Sequence, residues 1–99
     1  RTSWVYDAEG KNFVNTMLRL GGEKEVLSVV DDQFGAPSYA PHLAEATLDA
    51  LRKSGQSTRF PSGVYHMCNG GITSWMNFAK QVFALGYRKQ LPLMVKTVN

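Results

Sequence analysis

The sequence predicts an α/β fold, and three observations predict it. Short runs rich in β-branched and apolar residues, at 2–6, 26–30, 64–68 and 94–98, alternate with three stretches of helical periodicity. Clusters containing Gly, Pro, Asn or Asp punctuate the runs. A hydrophobic share of 43% over 99 residues supports one domain with a modest core and is too little chain for two. Alternation of this kind buries a sheet beneath helices.

Thr2-Ser3-Trp4-Val5-Tyr6 mixes β-branched and aromatic side chains, which suit a pleated, half-buried surface, and it runs into the turn residues Asp7, Glu9 and Gly10. Phe13, Val14, Met17, Leu18 and Leu20 follow at helical spacing. A helix is therefore expected over 12–20, with Asn12 accepting hydrogen bonds from the first free amides and Gly21-Gly22 stopping it. Val26 to Val30 reads as the second strand, broken into a loop by Asp31-Asp32-Gln33-Phe34-Gly35-Ala36-Pro37. Leu43, Ala46, Thr47, Ala50 and Leu51 share one face of a helix expected over 41–53. Ser38 or Tyr39 stands near its start, Pro41 fits its first turn, and Arg52-Lys53 complements the dipole at its end.

After the loop Ser54 to Ser62, Val64-Tyr65-His66-Met67-Cys68 reads as the third strand, and Asn69-Gly70-Gly71 supplies turn residues able to take positive φ. Thr73 is placed to cap a helix over 74–85 whose apolar face is Trp75, Phe78, Ala79, Val82 and Phe83, with Gly86 closing it. Met94-Val95-Lys96-Thr97-Val98 is the last strand-like run. The chain opens directly on a strand-like run without an initiator Met, so it is expected to be one segment of a longer protein.

Composition narrows the function classes. Charged residues make up 19%, and five Phe, four Tyr and two Trp are spread along the chain, which is the composition of a globular protein and not of a disordered tail. Cys68 is the sole cysteine, which excludes an internal disulfide and leaves no thiol set for a structural zinc; a reducing, cytoplasmic compartment fits. No window approaches the roughly 18 apolar residues of a membrane span, and no apolar signal-peptide core follows Arg1-Thr2-Ser3-Trp4. No membrane partner is expected.

The net charge of +3 hides an asymmetry, because all eight carboxylates lie between Asp7 and Asp49 while seven of the eleven basic residues lie beyond Leu51. A basic half favours an anionic ligand such as a nucleotide diphosphate, although an ordinary solvated surface has the same composition. Only Arg52-Lys53 and Arg88-Lys89 are adjacent, and the aromatics fall mainly at core spacing, so nucleic acid is not expected as a partner.

Several chemistries are missing. The nine glycines give no GxGxxG, GxxGxxG or Walker A spacing, so no loop here brings backbone amides to a phosphate at a helix start. No GxSxG elbow occurs, and His42 and His66 stand on different elements. His66 and Cys68 would share one strand face, but two ligands are too few for a metal and buried strand side chains explain them better. The residues four after Tyr6, Tyr39, Tyr65 and Tyr87 are Gly10, Leu43, Asn69 and Leu91, so the Tyr-x-x-x-Lys pair of short-chain dehydrogenases is not in this chain.

Two segments fall at strand ends, where open α/β sheets place ligands. They are Arg1-Thr2-Ser3-Trp4-Val5-Tyr6 and Val29-Val30-Asp31-Asp32-Gln33-Phe34-Gly35-Ala36-Pro37-Ser38. Joined by Asn12-Phe13-Val14-Asn15-Thr16-Met17-Leu18-Arg19-Leu20, and continued by Gly63-Val64-Tyr65-His66, Thr73-Ser74-Trp75 and Phe78-Ala79, the chain resembles the C-terminal half of the dTDP-4-dehydrorhamnose reductases, members of the extended short-chain dehydrogenase superfamily. The likeness covers essentially the whole chain.

That resemblance implies the C-terminal part of a Rossmann-like extended short-chain dehydrogenase fold, with residues 1–99 as its substrate-binding portion. It implies reduction of the C4 ketone of dTDP-4-dehydro-L-rhamnose by NADH or NADPH, with the cofactor and the Tyr-x-x-x-Lys pair held by sequence N-terminal to this chain. The implied partners are a nucleotide-sugar substrate and, in the longer protein, a second copy forming a homodimer. No residue here is expected to be catalytic and none to bind a metal.

On the same likeness, Trp4 matches the tryptophan that packs on the substrate sugar, an indole face suiting the C–H face of a hexose; a core tryptophan is the competing reading. Asn12 and Phe13 match the segment after that strand, where Asn12 either bonds substrate hydroxyls or simply caps a helix. Gln33, Pro37 and Ser38 match the family loop and either border the nucleotide or shape a turn, shaping being favoured for Pro37 and Gly35. Asp32 is expected to anchor the loop through backbone amides, with Asp31 as its solvated neighbour. A non-catalytic protein on the same fold, like the regulatory subunit of methionine adenosyltransferase, is the alternative, because fold does not settle function.

Overall fold

The computed structural model describes residues 1–99. In chain order the elements are β1 (Val5–Tyr6), α1 (Phe13–Glu23), β2 (Val26–Leu27), β3 (Phe34–Gly35), β4 (Ser38–Tyr39), α2 (Ala40–Ser54), β5 (Thr73–Ser74), α3 (Trp75–Arg88) and β6 (Thr97–Val98). The strands form three two-stranded pairs: β1 with β4 and β2 with β6 run parallel, while β3 and β5 are antiparallel. Parallel pairs need long connections between their strands, and helices fill both of these. The α/β reading of the sequence therefore holds, with shorter strands than the apolar runs suggest.

Asn12 starts α1 as its side chain predicts. Its Oδ1 accepts the Asn15 amide at 3.1 Å, satisfying one of the donors a helix start leaves free. Gly21-Gly22 does not stop this helix, which runs on to Glu23. A Cβ on Gly21 would lie 2.6 Å from the Phe83 ring, so the glycine is there to let α1 approach α3 closely. Gly86 on α3 leaves room instead for the C-terminal segment, since a Cβ there would lie 2.7 Å from the Leu93 side chain, and that helix continues to Arg88. Glycine's lack of a side chain, and not its turn-forming freedom, decides both positions.

The core sits between these helices and the C-terminal segment. Met17, Leu27, Ala79, Val82, Phe83 and Val95 are its buried residues, with Phe13, Val14, Leu18 and Phe78 packed around them. Residues 94–98 lock on by hydrogen bonds: the Gly21 carbonyl, one of the acceptors a helix end leaves open, takes the amides of Met94 at 2.8 Å and Val95 at 3.0 Å. The Tyr87 hydroxyl donates to the Val95 carbonyl. Only Thr97 and Val98 of this run form ladder pairs, opposite Val26 and Leu27.

Val64 to Cys68 forms no ladder within residues 1–99. It lies alongside the first of them, with the Met67 amide donating to the Arg1 carbonyl at 2.8 Å and the Arg1 nitrogen donating to the Tyr65 carbonyl at 2.5 Å. These two bonds flank His66 as the bonds of a single parallel pairing do. His66 and Cys68 are accordingly exposed rather than buried. The helix after them is capped by Ser74, one residue later than expected, its hydroxyl accepting the Asn77 amide.

α2 has the expected extent and no buried residue. Leu48 and Leu51 are more than half exposed, as are Phe60 and Tyr65 in the loop beside it. Ala50, Leu51, Phe60, Tyr65 and Met67 line an open hollow of about 500 Å³. The radius of gyration, 17.1 Å, exceeds the ~13 Å of a compact chain this long. Local stability follows buried contact, so amide exchange in the isolated 99-residue chain is expected to be at least about tenfold faster in α2 than in α1 and α3. Equal protection of all three helices in a hydrogen-exchange experiment would contradict this.

Candidate functional site

The aromatic residues gather at one place. β1 delivers Trp4 and Tyr6, the first turn of α1 delivers Phe13, β4 delivers Tyr39, and the first turn of α3 delivers Trp75 and Phe78. The Trp4 and Trp75 rings stack with centroids 3.6 Å apart and planes 13° apart. Phe13 packs on Trp75 at 4.6 Å and on Phe78 at 5.1 Å. Tyr6 bridges Phe78 and Tyr39, and Tyr39 meets His42 edge-on. These side chains are only partly buried apart from His42, which is exposed, so the cluster is a wall that Phe13 and Phe78 join to the core.

Backbone pairing fixes this wall. Ser38 donates its amide to the Trp4 carbonyl at 3.0 Å, and the Ser3 hydroxyl donates to the Ala36 carbonyl at 3.0 Å, joining 1–6 to the loop 31–38. Asn69 ties on the next segment: its Oδ1 accepts the Tyr39 amide at 2.7 Å, its amide donates to the Ser38 hydroxyl at 3.2 Å, and its Nδ2 lies 3.2 Å from His42 Nδ1. The Ser74 hydroxyl donates to Asp31 while accepting the Asn77 amide at 3.2 Å, which anchors the start of α3 to the same loop. Ser38 and Ser74 are both fully buried, and each has its hydroxyl satisfied, as buried polar groups must.

Comparison with known proteins follows from this geometry. Residues 1–98 match the family model described as the RmlD substrate binding domain. The chain belongs to that family. Over all 99 residues it is 43% identical to the dTDP-4-dehydrorhamnose reductase of Shigella flexneri, covering 33% of that protein. Over 87 residues, 85% of this chain, it is 48% identical to the reductase of Burkholderia thailandensis, covering 29% of it. The crystal structure of dTDP-4-dehydrorhamnose reductase from Bacillus anthracis in complex with NADP superposes on 99% of this chain and 31% of its own, with a TM-score of 0.80 and 38% identity. The fold is thus that of a segment of an extended short-chain dehydrogenase, and the chain spans about a third of the length of the relatives it matches.

In this RmlD substrate binding domain the six residues singled out from sequence separate into two groups. Trp4 and Phe13 meet through Trp75 in the aromatic wall. Asn12 stands next to Phe13, but its Nδ2 donates to the Asp7 and Glu9 carbonyls at 3.0 and 3.2 Å, so its polar atoms are spent on backbone. Ser38 is buried in β4 and spent on Ala36 and Asn69. Pro37 is half-buried between β3 and β4, and Gln33 is exposed with no side-chain partner in the chain.

The acidic pair departs from its expected roles: both residues are exposed, and Asp31, not Asp32, anchors the loop by accepting from the Ser74 hydroxyl. β3 pairs with β5, and that pairing brings Ser74 to Asp31. Sequence reasoning gave Trp75, Tyr39 and Asn69 structural places on a helix face, at a helix start and in a turn, and none of them a place at the site. The Thr73-Ser74-Trp75 motif was the available signal for the first; nothing local marks the other two, because their partners lie about thirty residues away.

No group of three or more His, Cys, Asp or Glu side chains is placed to hold a metal. No helix is long and apolar enough to cross a membrane. The residues present do not fit a dinucleotide either. Gly10, Gly63 and Gly71 have positive φ but none opens a helix in a phosphate-binding spacing, and side chains cap the starts of α1 and α3.

Proposed function

We propose that residues 1–99 act as one substrate-binding segment of an NAD(P)H-dependent dTDP-4-dehydrorhamnose reductase, which reduces the C4 ketone of dTDP-4-dehydro-L-rhamnose to give dTDP-L-rhamnose. The observation that carries this reading is the match of residues 1–98 to the RmlD substrate binding domain, with 43% identity to the Shigella flexneri reductase along the entire chain. In this reading Trp4, Asn12, Phe13, Gln33, Pro37 and Ser38 belong to the substrate side. Trp4 and Phe13 touch the nucleotide sugar through the aromatic wall, whereas Asn12, Pro37 and Ser38 shape the loops that carry it.

The cofactor is held elsewhere in the longer protein, consistent with the lack of a glycine cradle here. NADPH is the favoured form, since the Bacillus anthracis relative was crystallised in complex with NADP. A homodimer of the longer protein belongs to the same proposal. So does a cytoplasmic site of action, which suits the exposed free thiol of Cys68.

The test is an assay of nicotinamide oxidation with dTDP-4-dehydro-L-rhamnose. The longer protein is expected to turn over, and the purified 99-residue chain to show no ketone-dependent oxidation above buffer, because Tyr-x-x-x-Lys and a cofactor loop are both missing from it. Turnover by the short chain would overturn the division of labour. A longer protein that binds the sugar but never reduces it would favour a non-catalytic role.

A further inference from the structure

We propose that Val64 to Cys68 is one strand of a parallel sheet that the residues directly before Arg1 continue in the longer protein, with α2 covering the face of that sheet that carries Tyr65 and Met67. This rests on the reading of residues 1–99 as one segment of a longer chain.

Backbone register carries the argument. The Arg1 nitrogen donates to the Tyr65 carbonyl and the Arg1 carbonyl accepts the Met67 amide, which pairs Arg1 with His66 in the parallel sense. A parallel ladder advances by equal steps along both strands, so the residue before Arg1 falls opposite Tyr65 and the one before that opposite Val64. The Tyr65 amide, which makes no backbone hydrogen bond within residues 1–99, then donates to the carbonyl two residues before Arg1. Growth in the other direction is closed. The Ser3 hydroxyl and the Trp4 carbonyl are bonded to the loop 31–38, and the positive φ of Trp4 bends the chain out of an extended course.

The side chains call for the same neighbours. Val64 and Tyr65 are 67% and 62% exposed, yet the run Val64-Tyr65-His66-Met67-Cys68 has the largely apolar character of a parallel strand covered on both faces. Alternation along a strand puts Tyr65 and Met67 on one face. Thr47, Ala50 and Leu51 of α2 share the open hollow with these two, and the Thr47 hydroxyl lies 3.9 Å from the Met67 sulfur. α2 therefore already overlies that face, while burying none of its own residues. A helix held off an exposed strand is the shape left where the next strand of a sheet belongs to another part of the protein.

The occupant is upstream sequence and not a second copy. Upstream residues are joined covalently to Arg1, which the pairing already includes, so they meet Val64 and Tyr65 at a local concentration that no separate molecule matches. The shape of the segment agrees. It is 58 Å long and 19 Å across its narrowest extent, and none of its buried core residues lines the hollow. The same arrangement matches the Bacillus anthracis reductase over 99% of the segment and only 31% of that chain. A protein with further chain to supply the missing strand thus holds α2 and residues 64–68 where this segment holds them.

The experiment uses the full-length protein. Its Tyr65 amide is expected to exchange at least about a hundredfold more slowly than in an unfolded chain, at a rate independent of protein concentration. Exchange at the unfolded rate would overturn the proposal, and protection that grows with concentration would give the face to a second copy and overturn it too. In a Cys68→Ser background, Val64→Cys is expected to form a disulfide with a cysteine placed two residues before Arg1 at least about fivefold more readily than with one placed directly before it, because the second points to the opposite face. Equal or reversed coupling would overturn the register. Leu51→Asp is expected to lower the melting temperature by at least about 5 °C, since it would place a carboxylate beneath the covered face. An unchanged melting temperature would leave α2 facing solvent and overturn its covering role; should the variant not fold, amide exchange along α2 of the unaltered protein decides that role, fast exchange overturning it. None of these readouts needs turnover. A protein that passes them and reduces no sugar fails only as a reductase, and one that reduces the sugar with an unprotected Tyr65 amide fails only in this pairing.

Discussion

Trp4→Ala in the proposed full-length reductase is expected to lower kcat/KM for the nucleotide sugar about tenfold to a hundredfold, with nicotinamide affinity nearly unchanged. Losing an aromatic wall against a ligand costs roughly 1–3 kcal/mol, by analogy with aromatic hot spots at other interfaces, and that energy converts to this loss of efficiency. Trp4 also stacks on Trp75 and presses on Gly35, so some stability goes with it. Melting temperature, nicotinamide affinity and sugar kinetics, measured on the one variant, separate the readings. A tryptophan that only packs would instead cost about 3–5 kcal/mol, and cofactor binding and sugar use would fall together.

Phe83→Ala should be the most destabilising single change in the segment, at about 3–5 kcal/mol by chemical denaturation of the full-length protein. Phe83 is 4% exposed, and its ring lies over the place where Gly21 lets α1 approach α3. Truncation leaves a cavity between two rigid helices that cannot close up. Gly21→Ala alone should cost about 1–3 kcal/mol, because its methyl group would intrude on that ring. The two changes occupy the same space, so the double variant should be less destabilised than the sum of the single ones. Strict additivity would show that the glycine and the ring do not share this contact.

The helices were legible because their signals are local. Asn12 before Phe13, the spacing of Met17 and Leu18, and Arg52-Lys53 at the end of α2 each act within a turn or two. What ends a helix was less legible, since Gly21 and Gly86 carry the same letter whether a chain turns there or another part of the chain presses close. The strands were legible as apolar runs but not as ladders. Val64 to Cys68 has the right side chains, and whether it pairs depends on what lies beside it. At the site, Trp4 and Phe13 were found through their motifs, while Trp75 acquires its meaning only from the stack that folding creates. The anchoring of the loop by Asp31 and not Asp32 has the same origin, because it depends on a serine forty-three residues away.

The pairing of Val26 with Thr97 and of Leu27 with Val98 also sets the order in which the segment can be made. Four of the six buried core residues, Ala79, Val82, Phe83 and Val95, belong to the last quarter of the chain. Until α3 and Val95 are made, Met17 and Leu27 lack their partners from this segment, and α1 is too short to persist unaided in water. Closing β2 onto β6 then joins points some seventy residues apart, an entropic cost met before the contacts that reward it. Folding within this segment consequently waits for the residues of α3 and β6 to be made.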